Sequence, residues 1–243
     1  MGTPIVTTSW DDGHPQDLRL AESLMRYGVP ATMYVPVRND VFPVLQAHDI
    51  RALAGMGMEI GSHSANHTVL TGIPEARIWT ELLESKTILE DVLGKPVSSF
   101  CYPRGKFDAR AARLVAESGY RLGRTTVAFR TEPRFDPWRM PVTLQLFRHP
   151  RRALLKHALK DRNFLGLHAW RRASGFQSGL RALARELFDH AIETGGVFHL
   201  WGHSWEIEEA GLWGELEDIL KYISNRPGVS YRTNSGVLDG LKE

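Results

Sequence analysis

Up to residue 125, and again beyond residue 195, short β-branched or aromatic runs alternate with helical patterns that stop at glycine. This order demands parallel strands joined by crossover helices. Residues 5–10, 31–35 and 59–60 read as strands; 17–27 and 48–56 read as the helices between them, stopped by Gly28 and Gly57. From Pro74, residues Trp79, Leu82, Leu83, Leu89, Val92 and Leu93 recur at helical spacing up to Gly94. Strands over 97–102 and 120–125 flank a predicted helix over 109–118, and residues 128–144 read as loops around one short strand. Helices are expected over 151–160, 177–193 and 212–223, with strands over 197–201 and 229–232. Six to eight parallel strands in 243 residues predict one α/β domain over 1–243. The expected architecture is a distorted (β/α) barrel of about seven strands, closed or incomplete, with its chemistry at the carboxyl ends of the strands.

With 42% hydrophobic and 24% charged residues, the chain can bury a sizeable core without disulfides. Its single cysteine, Cys101, excludes an internal disulfide framework. No run has the pattern of a secretory signal or the length to cross a bilayer, so the expected compartment is the cytoplasm. There Asn66-His67-Thr68 matches a glycosylation acceptor in letters only. The net charge of +2 hides an asymmetry: residues 148–185 carry +9, leaving −7 elsewhere. A solvated helix face, a surface for an anionic substrate or carrier, and a peripheral membrane contact all fit that segment. Nucleic acid fits poorly, because the segment has no regular aromatic interleave.

Four motifs follow predicted strands. Asp11-Asp12-Gly13 ends the first; adjacent carboxylates repel unless a cation is shared, although a plain capped turn also uses these letters. His63 and His67, four residues apart after the third strand, converge on one metal if the loop is tight. With Asp12 they form a two-histidine, one-carboxylate set with sites left open; zinc is the default, and Fe, Mn, Co or Ni also suit these donors. Tyr102-Pro103-Arg104-Gly105 is a strand-to-turn passage whose backbone N–H groups suit an oxyanion, with Asp108 as a helix cap. The last strand delivers His203 just past its end, an acid or base that Glu206 is placed to orient.

The ordered set resembles the polysaccharide deacetylases of carbohydrate esterase family four over about residues 5–203. The resemblance implies Asp11 as general base, Asp12, His63 and His67 as metal ligands, His203 as general acid, and the Arg104 N–H as oxyanion donor. It also implies a distorted barrel of seven or so strands. Two departures stand out: Cys101 occupies the place of the family's motif arginine, and Arg104 that of its tyrosine. Arg139, in Trp138-Arg139-Met140-Pro141, is the expected replacement for the arginine that contacts the base. Tyr102, Pro103, Trp201, Trp205 and Glu206 are expected at the substrate, with Trp170 and Trp213 as further stacking candidates.

The expected reaction is metal-dependent removal of an N-acetyl group from an amino sugar, nucleotide- or lipid-linked, in a surface-polysaccharide or lipopolysaccharide precursor. Two alternatives stand beside it: hydrolysis of a non-sugar amide such as a formamide or cyclic ureide, and a non-catalytic carbohydrate-binding barrel, which would not need both Asp11 and His203.

Overall fold

The computed structural model describes residues 2–160 and 162–241, without the side chains of His157 and Lys160. Seven parallel strands lie in the order β5-β4-β3-β2-β1-β7-β6, curled into a distorted, incomplete (β/α) barrel. They are β1 (Ile5–Trp10), β2 (Ala31–Val35), β3 (Glu59–Ser62), β4 (Ser99–Cys101), β5 (Leu122–Arg124), β6 (Leu144–Gln145) and β7 (Val197–Gly202); a short β8 (Ser230–Tyr231) pairs with the start of β1. Residues 140–145 bridge the two ends of the curl. Met140 exchanges backbone hydrogen bonds with Gly123 and Thr125 beside β5, while Leu144 and Gln145 pair with Leu200 and Trp201 on β7.

The helices around the sheet are α1 (Asp17–Arg26), α2 (Ala47–Gly55), α3 (Glu75–Leu93), α4 (Ala109–Glu117), α5 (Arg151–Lys160), α6 (Phe164–Ser174), α7 (Leu180–Thr194), α8 (Ser204–Glu209), α9 (Trp213–Ile223) and α10 (Asn234–Gly240). Local chemistry sets their limits. Asp108 caps α4 by accepting the Ala111 N–H at 2.8 Å, and α3 stops at Gly94 in the left-handed conformation. Helix α6 has no counterpart in the sequence reading. Its buried face is Gly166, Ala169 and Trp170, so one large side chain carries the amphipathic signal among arginines and a histidine. The short α8 and α10 also escape the periodicity, and the last helix before β7 begins at Leu180 rather than at 177. Strand β3 continues through Gly61 where a loop was expected. A Cβ there would stand 2.5 Å from the Tyr34 ring, so this glycine serves a close approach inside the sheet and not a turn.

Every residue of β1 and β7 is buried, and alternation sorts the side chains into two environments. Val6 and Trp10 of β1, with Phe198 and Leu200 of β7, join the apolar layer beneath the helices, where Phe198 meets Phe188 of α7 edge to face. The alternate set faces a polar barrel interior. Thr7 Oγ1 donates to Asn234 Oδ1 at 2.8 Å, Asn234 Nδ2 donates to Tyr34 Oη at 2.9 Å, and Ser9 meets His199 Nε2 at 2.8 Å. Thr32 and Ser99 both donate to Glu59 in the same floor.

Asn234 thus locks α10 under β1 and β2. Replacing it by alanine strands two buried hydroxyls, each costing about 1–3 kcal/mol. Asn234→Ala is therefore expected to lose about 2–6 kcal/mol of stability in urea titration, and an unchanged midpoint would contradict this role.

Candidate active site

The carboxyl ends of β1, β3, β4, β5 and β7 open into one cavity of about 820 Å³. Asp11, Asp12, His63, His67, Arg104, Trp201, His203 and Trp205 all line it. Asp12 follows β1 at φ 77°, and Ser64 and His67 of the loop after β3 take φ 64° and 51°. Non-glycine residues rarely adopt this left-handed backbone, and it collects where a site demands a fixed side-chain direction. The result is a tight cluster: His67 Nε2 lies 3.2 Å and His63 Nε2 3.6 Å from Asp12 Oδ1.

Surrounding groups set this geometry. His63 Nδ1 donates to the Cys101 carbonyl at 2.8 Å, which assigns the proton to Nδ1 and leaves Nε2 as a lone-pair donor. Burial holds the His63 imidazole down at about 4, hence neutral. Glu81 of α3, wholly buried, accepts from the Asn66 backbone and side-chain N–H groups at 2.9 and 3.0 Å and pairs with Arg77 at 2.7 Å. Trp205 stacks on Phe42 and donates its indole N–H to Asp12 Oδ2 at 2.9 Å. Burial alone would raise the Asp12 carboxyl, but the His67 contact, the His63 and His203 charges and the Trp205 bond hold it well below the usual carboxylate range.

Among the described residues, two sets of donor atoms lie close enough to share one ion: Asp12, His63 and His67, or Asp11, His63 and Cys101, each within 4.8 Å of one another. Chemistry separates them. Burial pushes the Cys101 thiol up, so it stays protonated, with Sγ 3.6 Å from Asp11 Oδ2, and Asp11 Oδ1 is taken by Arg124. The first set offers a carboxylate and two imidazoles, at least one with its tautomer fixed, and fits a divalent metal.

Asp11 faces the other way, into the barrel. The arginine on it is Arg124, at the end of β5, and not Arg139. Arg139 sits in the 3₁₀ turn Pro137–Arg139, 3.5 Å from Asp136 and outside the cavity lining, because that turn packs beyond the sheet edge. Arg124 is fully buried between the Tyr34 and Trp201 rings, at 5.3 and 4.8 Å. A cation inside the strand predicted over 120–125 was the available signal for it.

His203 follows β7 with Nδ1 2.6 Å from Glu206 Oε2 and Nε2 3.8 Å from Asp12 Oδ2. Burial pulls its pKa down, but the Glu206 bond and the Asp11 and Asp12 charges outweigh it and leave the imidazole above its ordinary value. Glu206 orients His203 and does not line the cavity. Asp17, at the start of α1, was not anticipated. Fully buried, with neither oxygen hydrogen-bonded among the described residues, it is pushed up to about 8 by burial and adds no charge to the cluster at neutral pH.

Tyr102 and Pro103, expected at the substrate, do not line the cavity. Both are buried, with the tyrosine ring against Phe100 and Phe107 and its hydroxyl donating to the Trp138 carbonyl at 2.8 Å. Arg104 beside them does reach the cavity, held at φ 57°. Gly105 permits that turn, since a Cβ on it would lie 1.9 Å from Thr126 Oγ1. Trp170 stacks on Phe129 in the core, and Trp213 lies under Arg19 away from the cavity, so only Trp201 and Trp205 of the four tryptophans face the site.

Known proteins share this arrangement of elements. The profile of the polysaccharide deacetylase family matches residues 1–123. YxkH of Bacillus subtilis (strain 168), provisionally named a polysaccharide deacetylase, is 24% identical over 123 residues, 50% of this chain; the chain spans only 44% of that relative. A Mycobacterium smegmatis structure, also provisionally named a polysaccharide deacetylase, superposes with a TM-score of 0.68 at 16% identity, over 99% of this chain and 91% of that one. The family 4 carbohydrate esterase of Streptomyces lividans, solved with acetate, gives 0.59 at 16% identity, over 95% and 92%. The structures establish a common fold, and the profile covers the half of the chain that supplies Asp11, Asp12, His63, His67 and Arg104. The chain belongs to the polysaccharide deacetylase family.

Proposed function

We propose that the chain is a metal-dependent hydrolase that removes the N-acetyl group of an amino sugar. The substrate we favour is a nucleotide- or lipid-linked precursor of a surface polysaccharide or lipopolysaccharide, met in the cytoplasm. The observation that carries this reading is the convergence of Asp12, His63 and His67 with Asp11 and His203 in one cavity. Its volume, about 820 Å³, suits a sugar with an appendage and exceeds what a formamide needs. The far wall, with Phe129, Phe147, Leu154, Leu180 and Leu183, favours an apolar appendage, hence a lipid-linked sugar over a nucleotide.

Asp12, His63 and His67 would hold the ion; zinc is the first choice, and Fe, Mn, Co and Ni suit the same donors. Once bound, it supplies Lewis acidity, polarising a carbonyl and lowering the pKa of water from ~15.7 toward ~7. Asp11, oriented by Arg124, accepts the proton of the attacking water. The Arg104 backbone N–H faces the charge that develops on the carbonyl oxygen. His203, whose imidazole Glu206 holds above its ordinary pKa, gives a proton to the departing nitrogen, so the C–N bond breaks to acetate and a free amine.

Acetate release from N-acetylated amino sugars is expected to fall by ~10²–10⁴ in Asp11→Asn and in His203→Ala; a folded Asp11→Asn protein with wild-type turnover contradicts the assignment. Chelation should abolish release and a stoichiometric divalent ion should restore it, whereas full activity in protein shown metal-free by elemental analysis would overturn the metal's role. Because Glu206 raises the His203 pKa and the acid must be protonated, Glu206→Gln should move the alkaline limb of the pH–rate profile to lower pH. A limb that stays in place would remove Glu206 from the mechanism.

A further inference from the structure

The basic segment has a second property, visible only in the fold. Of the seven large apolar side chains that stand exposed among the described residues, three gather at the turn between α5 and α6: Leu159, Phe164 and Leu165, at 58%, 69% and 58%. Around them stand exposed Arg152, Lys156, Arg162, Arg171 and Arg172. Arg152, Lys156 and Leu159 recur at i, i+4 and i+7 on α5, as do Phe164, His168 and Arg171 on α6, so each helix presents a mixed apolar and cationic stripe outward. The inward faces are different: Leu154 and Ala158 on α5 and Ala169 and Trp170 on α6 are buried.

These cations are available. Arg148 and Arg181 of the same segment are tied to Glu215, and Arg181 also to Asp218 at 2.8 Å. Among the described residues none of the five around the turn has an ion pair. Asp161, the one acid of the segment, and the side chain of Lys160 lie outside the described residues. Apolar side chains held in water beside arginines that have no ion pair among the described residues are poor solvent surface. They are suited to the headgroup region of an anionic bilayer, where phosphates meet the cations and leucine and phenylalanine enter the acyl boundary.

We infer that the α5–α6 turn is a peripheral docking surface for an anionic lipid bilayer, with Leu159, Phe164 and Leu165 as the inserting tip and the flanking arginines and lysine as the electrostatic rim. No helix of the described residues is long and apolar enough to cross a membrane, so the contact is one of surface attachment. The inner side of α5 contributes Leu154 to the active-site cavity, so docking would bring the cavity wall toward the bilayer. The inference stands on exposure and charge alone and is independent of the catalytic reading.

Co-sedimentation of the full chain with sucrose-loaded vesicles tests it. Pelleting is expected with phosphatidylcholine vesicles containing phosphatidylglycerol, with little on phosphatidylcholine alone, and it should weaken as salt rises. The combined Leu159→Ser, Phe164→Ser and Leu165→Ser variant should lose pelleting while melting as the wild type does. Arg152→Gln and Lys156→Gln should each weaken it by about five-fold. No pelleting of the wild type, or equal pelleting of the triple variant, would overturn the inference. So would a lipid-free dimer that the triple substitution dissolves, which would make the surface an interface between copies.

Discussion

A buried ion pair between Arg124 and Asp11 governs the centre of this molecule. Arg124 is completely enclosed, and its Nε and Nη1 find no hydrogen-bond partner among the described residues, so Nη2 on Asp11 and the flanking Tyr34 and Trp201 rings are its compensation. Removing either partner leaves an uncompensated buried charge, typically a loss of ~3–5 kcal/mol. The pair also joins distant parts of the sheet. β5 lies at one end of the strand order and β1 near its middle, so the contact spans the barrel interior and fixes its curl. Anchored from that side, Asp11 is oriented without a partner on its own edge of the cavity, while Asp12 turns to the histidines.

The same logic explains why a cysteine is acceptable where the family's motif carries an arginine. Cys101 is fully buried at the end of β4, and its backbone carbonyl performs the local duty by accepting His63 Nδ1. The cation arrives instead from the neighbouring strand: Cys101 and Arg124 are register partners across the β4–β5 pair. A charge moved one strand sideways, at the same level of the barrel, can still reach Asp11.

Much of this was readable in the letters, for identifiable reasons. Strands that carry the motifs are bounded by glycine and proline, and the spacing of His63 and His67 has few uses other than convergence. Side-chain direction was less accessible. Whether Tyr102 faces the cavity or the core depends on the pleat at a strand end, and the structure buries it. Arg139 and Arg124 both sit near the right level, and only the closing segment 140–145 reveals which one the barrel encloses. Helix α6 and the role of Glu81 depend on tertiary partners that no periodicity displays.

A charge swap tests most directly whether Arg124 supplies what Cys101 lacks. Acetate-release turnover should collapse in Arg124→Met and recover substantially when Cys101→Arg is added, with the melting temperature following the same pattern. Wild-type turnover in folded Arg124→Met, or a double variant no better than the single one, would contradict this account of the site.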